Sequence, residues 1–244
     1  MAEALLISRT DVVKFTAMNG NVDTDKFIQF IKIAQDVHIQ TMLGTDLLEK
    51  IQAEIILATS GIPTAITVTN QGTGYTTGTD RSTTSATGTG LKLNITAAAG
   101  LITNATINTA GTGYKVGNTA TVAGGTNGAV TISSIYTIPS AYNNLLIDYI
   151  KPMLIHWAMV EYLPFAAYTI ANKGVYKHDS ENATTVEKNE VDFLVEKQRQ
   201  IAQHYTQRFV DYINFNTASF PEYNSNSNGD MYPRGENNLN GWYL

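Results

Sequence analysis

The residues able to do chemistry in this chain are few and scattered. Four histidines, His38, His156, His178 and His204, are the natural candidates for acid–base or metal work. His38 falls on an apolar helical stripe. His156 sits beside Trp157 in a long apolar stretch. Both positions suit core or interface histidines. His178-Asp179, with Glu181 nearby, lies in a polar loop, but a zinc site needs three or four ligands at workable spacing and the sequence supplies none. There is no cysteine, so disulfides, thiol nucleophiles and thiolate metal sites are excluded. No GxSxG, HExxH, phosphate-loop or DxD pattern occurs. Carboxylates such as Glu187 and Glu190 alternate with Lys188 and Lys197 on one helix and read as solvated surface. The expectation is a chain that is not an enzyme and needs no cofactor or metal.

The one repeated motif is glycine-rich. Gly72-Thr73-Gly74-Tyr75 recurs as Gly111-Thr112-Gly113-Tyr114, about 39 residues on. A phosphate cradle would need a following helix and a lysine, and calcium-binding β-repeats would need several aspartates where only Asp80 is present. The glycines serve more simply as tight-turn residues with positive φ. The tyrosines Tyr75 and Tyr114, set among threonine and asparagine, would offer a glycan-binding face.

The motif belongs to a segment with its own composition. Between Ile62 and Ile138 the only ionised side chains are Asp80, Arg81, Lys92 and Lys115, and about a quarter of the residues are threonine. Apolar residues there fall at period two: Ile66 and Val68; Leu91, Leu93 and Ile95; Val130 and Ile132. That spacing predicts half-buried antiparallel strands, roughly eight short ones in two copies. On both sides the sequence is charged, aromatic and helical in period. The expected fold class is therefore α+β and multidomain, a helical core of four to five helices (1–62 and 138–213) interrupted by a small antiparallel β-sandwich or barrel (63–137). A low-charge C-terminal arm (214–244) follows.

The helical parts give further expectations. A helix from Asp23-Thr24 to about Leu43 carries the stripe Phe27, Ile31, Ala34 and His38 beside Phe30, Ile33 and Val37. So wide an apolar face predicts two neighbours, and Phe27, Phe30, Ile31 and Ala34 are candidates for an oligomer interface. A second helix starts at Thr45-Asp46. After the insert, an apolar helical stretch runs from Tyr142 to about Ala171 with a kink at Pro152. His156, Glu161 and Pro164 make it a helix buried in protein rather than a membrane span. A polar loop then leads to a last helix, about Thr185 to Phe215, with Val191, Leu194, Gln198, Ile201 and Tyr205 at near-heptad spacing. The arm beyond is rich in Asn, Ser and Gly yet keeps Phe220, Tyr223, Tyr232, Trp242 and Tyr243. Those five aromatics are too many for a solvated linker, so they are candidate partner-binding residues. The whole chain carries −5. The insert holds three cations against one anion, which leaves the helical remainder near −7. No Lys/Arg cluster exists, so binding of nucleic acid through its phosphates is not expected. Met1 to Arg9 shows no signal peptide.

The opening Leu5-Leu6-Ile7-Ser8-Arg9-Thr10-Asp11-Val12-Val13-Lys14, followed by DTDKFIQFIKIAQDVHIQTMLG and TDLLEKI, resembles the start of tailed-phage head–tail connector (neck adaptor) proteins. The order of elements over about residues 5–60 and 140–215 is similar to theirs. The resemblance implies a structural virion protein. It would form a homo-oligomeric, twelve-fold ring between portal and tail, contact portal and other neck proteins, and line a channel through which genomic DNA passes without sequence-specific binding. Its place would be the virion neck, and the host cytoplasm during assembly. The GTGY segment departs from that family's pattern and is similar to β-repeats of phage fibre and surface proteins. The alternative is thus a glycan-binding or fibre-associated virion surface protein.

Overall fold

The computed structural model describes residues 4–18, 24–166, 168–171, 174–177, 188–227 and 229–234. The chain is α+β and divides into two compact units, Met1–Gln52 with Ser140–Leu244, and Ala53–Pro139. The division falls inside a helix, about ten residues before the change in composition. The cause is local. The last turns of that helix bond to the strands: Tyr136 donates its hydroxyl to the buried Glu54 carboxylate, and the Gly113 and Tyr114 amides donate to the carbonyls of Ser60 and Gly61.

The first unit is helical. Helix α1 (Arg9–Phe15) starts in a capping box, with the Asp11 carboxylate accepting from the Ser8 amide at 2.8 Å. Helix α2 (Thr24–Ala34) continues through a π-helical turn, Gln35–Ile39, into α3 (Gln40–Leu43). Gly44, at φ +76°, ends this run, and α4 (Thr45–Thr59) follows. The side chain of Gln35, fully buried in the π turn, accepts from the Leu6 amide at 2.9 Å. It thereby pins the apolar Leu6-Ile7 start to the bundle.

Beyond the strands, α5 (Ser140–Asn144), a second π turn (Leu145–Ile150) and α6 (Lys151–Tyr162) form one rod. Pro152, where a kink was expected, stands in the first turn of α6 directly after the π turn. Proline lacks the N–H that would bond four residues back, and the wider turn just before it makes room for the ring. Met153, Leu154, Ile155, Ala158, Met159 and Val160 are buried on several sides of α6, as suits the central helix. Helix α7 (Lys188–Phe215) packs on it through Ala202, Thr206, Phe209, Val210 and Ile213. Trp157 donates to the Thr206 hydroxyl at 3.0 Å, and the Tyr149 and Tyr212 rings stack at 4.0 Å. The apolar stretch does not stay helical to Ala171. A hairpin of β7 (Tyr168–Ala171) and β8 (Gly174–Lys177) lies where helix and then loop were expected. Among the described residues no helix is long and apolar enough to cross a membrane.

The second unit is a six-stranded antiparallel sheet curled into a nearly closed barrel. Its strands are β1 (Pro63–Asn70), β2 (Gly78–Thr84), β3 (Lys92–Ala98), β4 (Leu101–Thr109), β5 (Thr119–Val122) and β6 (Ala129–Ile135). Six strands replace the expected eight because each copy contributes three. The spatial order is β1-β6-β5-β2-β3-β4. Exchange each strand of the first copy for its counterpart in the second, and the same order results, read backwards. The sheet therefore has a pseudo-two-fold axis between β2 and β5, where Thr83 pairs with Val122, its own counterpart by the repeat offset. Each copy's first strand pairs with the last strand of the other copy, so neither half is complete alone. The period-two residues Leu93, Ile95, Val122, Val130 and Ile132 fill the interior. Ile102 of β4 donates to the Gln71 carbonyl just past β1 at 2.9 Å, which draws the edges together.

Candidate functional site

The repeated GTGY motifs are structural. Each is clamped to the opposite copy's loop by a pair of backbone bonds, Thr73 with Thr126 (2.9 and 2.8 Å) and Thr112 with Thr89 (3.0 Å both ways). Gly72 has φ +62°, and a Cβ there would lie 2.5 Å from the Gly128 nitrogen, so this turn requires glycine for conformation and for close approach. Tyr75 and Tyr114 do not form a glycan face. They are 3% and 2% exposed and lie in the barrel core. The two rings differ in one respect. The Tyr75 hydroxyl donates to the Val122 carbonyl at 2.7 Å and accepts from the Gly128 amide at 3.1 Å, whereas the buried Tyr114 hydroxyl has no hydrogen-bond partner among the described residues.

The proposed oligomer stripe is also occupied within the subunit. Phe27, Phe30, Ile31 and Ala34 are buried, with Tyr162 of α6 edge-on to Phe27 and Phe30 at 5.0 and 5.4 Å. Its wide apolar face has only one side covered, however, and Ile28, Ile33 and Val37 remain exposed. His38, in the π turn, stacks on Trp157 at 3.9 Å and contacts Glu161 through Nε2 at 2.8 Å. His156 contacts Gln198 at 2.9 Å and stacks on Tyr205. Both histidines thus tie α6 to a neighbouring helix, and no nucleophile joins them. Gln198, the polar residue of the heptad seam, is this histidine's partner. Among the described residues, no group of three or more His, Cys, Asp or Glu side chains could hold a metal ion. His178, Asp179 and Glu181 lie outside the described residues.

The C-terminal arm splits into two parts. Phe220 is fully buried and Tyr223 nearly so, which overturns their assignment to a partner. Phe220 packs edge-on against Tyr142 at 5.4 Å and near Tyr212 at 6.3 Å, and Glu222 accepts from the Tyr142 hydroxyl at 2.7 Å. Burial raises the Tyr223 phenol above its ordinary value. Further on, Asp46 in the first turn of α4 accepts from the Ser227 amide (2.8 Å), the Ser227 hydroxyl (2.7 Å) and the Ser225 hydroxyl (2.7 Å). Those three donors hold its carboxyl below the usual carboxylate range. The Thr45 amide donates to the Met231 carbonyl at 3.0 Å, its hydroxyl accepts from the Met231 amide at 3.2 Å, and the Arg234 amide donates to the Thr41 carbonyl at 2.9 Å. The segment 216–234 is therefore a strap stitched to the start of α4, not a free arm. Tyr232 remains 62% exposed; Trp242 and Tyr243 lie outside the described residues.

What the helical unit leaves uncovered is the first half of α7. From Lys188 to Gln200 no side chain is buried, and Phe193 and Leu194 are 68% and 45% exposed. Leu194 belongs to the near-heptad stripe, so that signal was in the sequence. The further exposed apolar residues of this unit include Phe15, Ile147, Phe165 and Phe215. Residues 126–232, from the last barrel strand through α7 and most of the strap, match the model of a family of unknown function (DUF6712). No curated protein and no solved structure matches the chain.

Proposed function

We propose that this chain is a structural subunit of the head–tail junction of a tailed phage. It would assemble with copies of itself into a ring that joins portal to tail and surrounds the DNA channel. The observation that carries this reading is the bare first half of α7. A stretch three to four turns long with no fully buried side chain, bearing Phe193 and Leu194 outward, is weakly held on its own in water and gains most from a neighbouring subunit. Separate exposed apolar residues on α2 give the subunit a second sticky region, as a head-to-tail ring contact requires. The acidic balance of the helical sequence suits a channel that must not grip DNA. His38 and His156, each held by an aromatic ring and one polar partner, fit a scaffold better than a catalyst.

Native mass spectrometry and electron microscopy of the full chain, alone and with portal protein, test this. Rings of about twelve subunits are expected, the closed cyclic assembly that a heterologous contact builds. Phe193→Asp with Leu194→Asp should shift the population to monomers with unchanged helical circular dichroism. A wild-type chain that stays monomeric and ignores portal protein refutes the proposal.

A further inference from the structure

The two copies of the barrel repeat are not equally filled. In the first copy Arg81 folds its guanidinium over two glycines. A Cβ on Gly78 would lie 2.8 Å from its Nη2, and one on Gly124 2.6 Å from its Nη1. Nη2 is held by the carbonyl and hydroxyl of Thr76, at 3.3 and 3.1 Å. The repeat offset carries Gly78 to Gly117, Gly124 back to Ser85, and Arg81 to Ala120. At Gly117 a Cβ would meet nothing within 4 Å. Gly117 and Ser85 both line an open cleft of about 500 Å³. The arginine that covers this place in one half has no counterpart in the other, where Ala120 at the offset position is buried in the barrel core and does not reach the cleft, which stays open.

The lining dictates the chemistry of what would fill it. The walls carry Thr84, Ser85, Asn118, Thr119 and Thr121, with no charged and no aromatic side chain. The Asn118 Oδ1 is occupied by the Thr87 hydroxyl at 2.7 Å and the Lys115 amide at 2.7 Å. Its Nδ2 therefore faces a fixed direction, with both protons unused among the described residues. The hydroxyls of Thr84, Thr119 and Thr121 likewise have no partner among the described residues, and each can donate or accept. A guanidinium like that of Arg81 finds no carboxylate in this lining. An anion finds no fixed cationic wall, and a nucleobase finds no ring to stack on. A neutral ligand carrying several hydroxyls close together matches the array, and the volume lies within the range of small-molecule sites, about 300–1,000 Å³.

We infer that the barrel holds one saccharide-binding cleft, at the half with no counterpart of Arg81, which takes a neutral sugar unit through Asn118 and the surrounding threonines. This differs from a glycan face on the buried tyrosines and does not depend on ring formation.

Saturation-transfer NMR of the full chain against neutral oligosaccharides of glucose, galactose, mannose and N-acetylglucosamine tests it, with arginine methyl ester as the cationic comparison. At least one oligosaccharide should take up saturation. Thr121→Trp, at an exposed strand position, should abolish the transfer by filling the cleft. Asn118→Ala should weaken it about ten-fold, as loss of one or two neutral hydrogen bonds does. The melting temperature of each variant shows that the barrel remains folded. Absence of transfer to every sugar overturns the inference, as does transfer undiminished in both variants or preferential uptake by the arginine ester.

Discussion

The barrel and the helical unit treat their large apolar side chains differently. The barrel strands and loops use nearly all of theirs internally; Leu101 and Val116 are the large ones left exposed. The helical unit buries Phe27, Phe209 and Phe220 completely, yet exposes Phe15, Ile28, Val37, Phe165, Phe193, Leu194 and Phe215. Isolated exposed apolar residues are ordinary, but a helical half with no fully buried side chain and adjacent Phe193 and Leu194 exposed is not. A sheet that curls nearly closed has little edge left to offer. A helix has no such limit and can overhang its neighbours. Under the proposed function, the helices would carry assembly and leave the barrel free for another task.

The sharpest way to break this contrast is to empty a buried site that sequence reasoning had given to a partner. Phe220→Ala removes a ring packed among Tyr142 and Tyr212 and should cost the helical unit about 3–5 kcal/mol, as buried Phe truncations do. Chemical denaturation followed by helical circular dichroism measures it. A loss well under 1 kcal/mol, accompanied by weakened assembly, would return Phe220 to the interface.

A smaller and paired effect tests the barrel's self-sufficiency. Tyr75→Phe orphans the Val122 carbonyl and the Gly128 amide, both inside the barrel, and should cost about 1–3 kcal/mol. Tyr114→Phe removes a hydroxyl that is buried without a partner among the described residues and should be neutral or slightly stabilising. Equal losses at the two positions, read by thermal melting, would mean that the halves are energetically alike and that the asymmetry around Arg81 has no counterpart in the core.

The sequence showed much of this architecture and little of the site, for physical reasons. Period-two threonine and valine with a repeated turn can only be antiparallel strands, so the barrel was legible down to Leu93 and Val130. The pairing of each copy's first strand with the other copy was not, because register between repeats leaves no mark in a single sequence. Ser8 and Asp11 form a capping box that sequence inspection could have found, but the seven-residue helix behind it buries only Val12. Pro152 announced the second π turn, while nothing in Gln35 to Ile39 announced the first. The aromatics misled most. Phe220 and Tyr223 sit in a stretch of Asn and Ser that resembles a disordered arm, and Tyr75 and Tyr114 sit among glycines. An aromatic residue in polar surroundings reads the same whether it anchors a partner or its own chain. Only three-dimensional closure, such as the Tyr142 hydroxyl meeting Glu222, tells them apart.

The smallest effect concerns the strap, and it follows from charge. Asp46 accepts three hydrogen bonds from Ser225 and Ser227, and its carboxyl titrates below the ordinary value of 3.8. A carboxylate whose pKa is lower in the folded than in the unfolded state stabilises the fold above the unfolded value, and that contribution fades as pH falls through the folded one. The strap should therefore be held fully at neutral pH and loosen only below about pH 4, where unfolded aspartate begins to take up protons. Asp46→Asn mimics the protonated form in size, so at neutral pH it should bring the strap to the acid behaviour of the wild type. Amide hydrogen exchange of residues 217–234, compared between neutral and acidic buffer, measures the change where it occurs. Asp11, whose carboxyl burial would push up but which Ser8, Lys151 and Lys14 together hold below its ordinary value, titrates over the same range, but its effect falls on α1 and not on the strap. If exchange in the strap is the same in Asp46→Asn as in the wild type at neutral pH, its hold comes from Phe220 and Tyr223 with the bonds to Thr41, Thr45 and Tyr142. The serine bonds to Asp46 would then be incidental to a segment secured by its aromatic side chains and those other bonds.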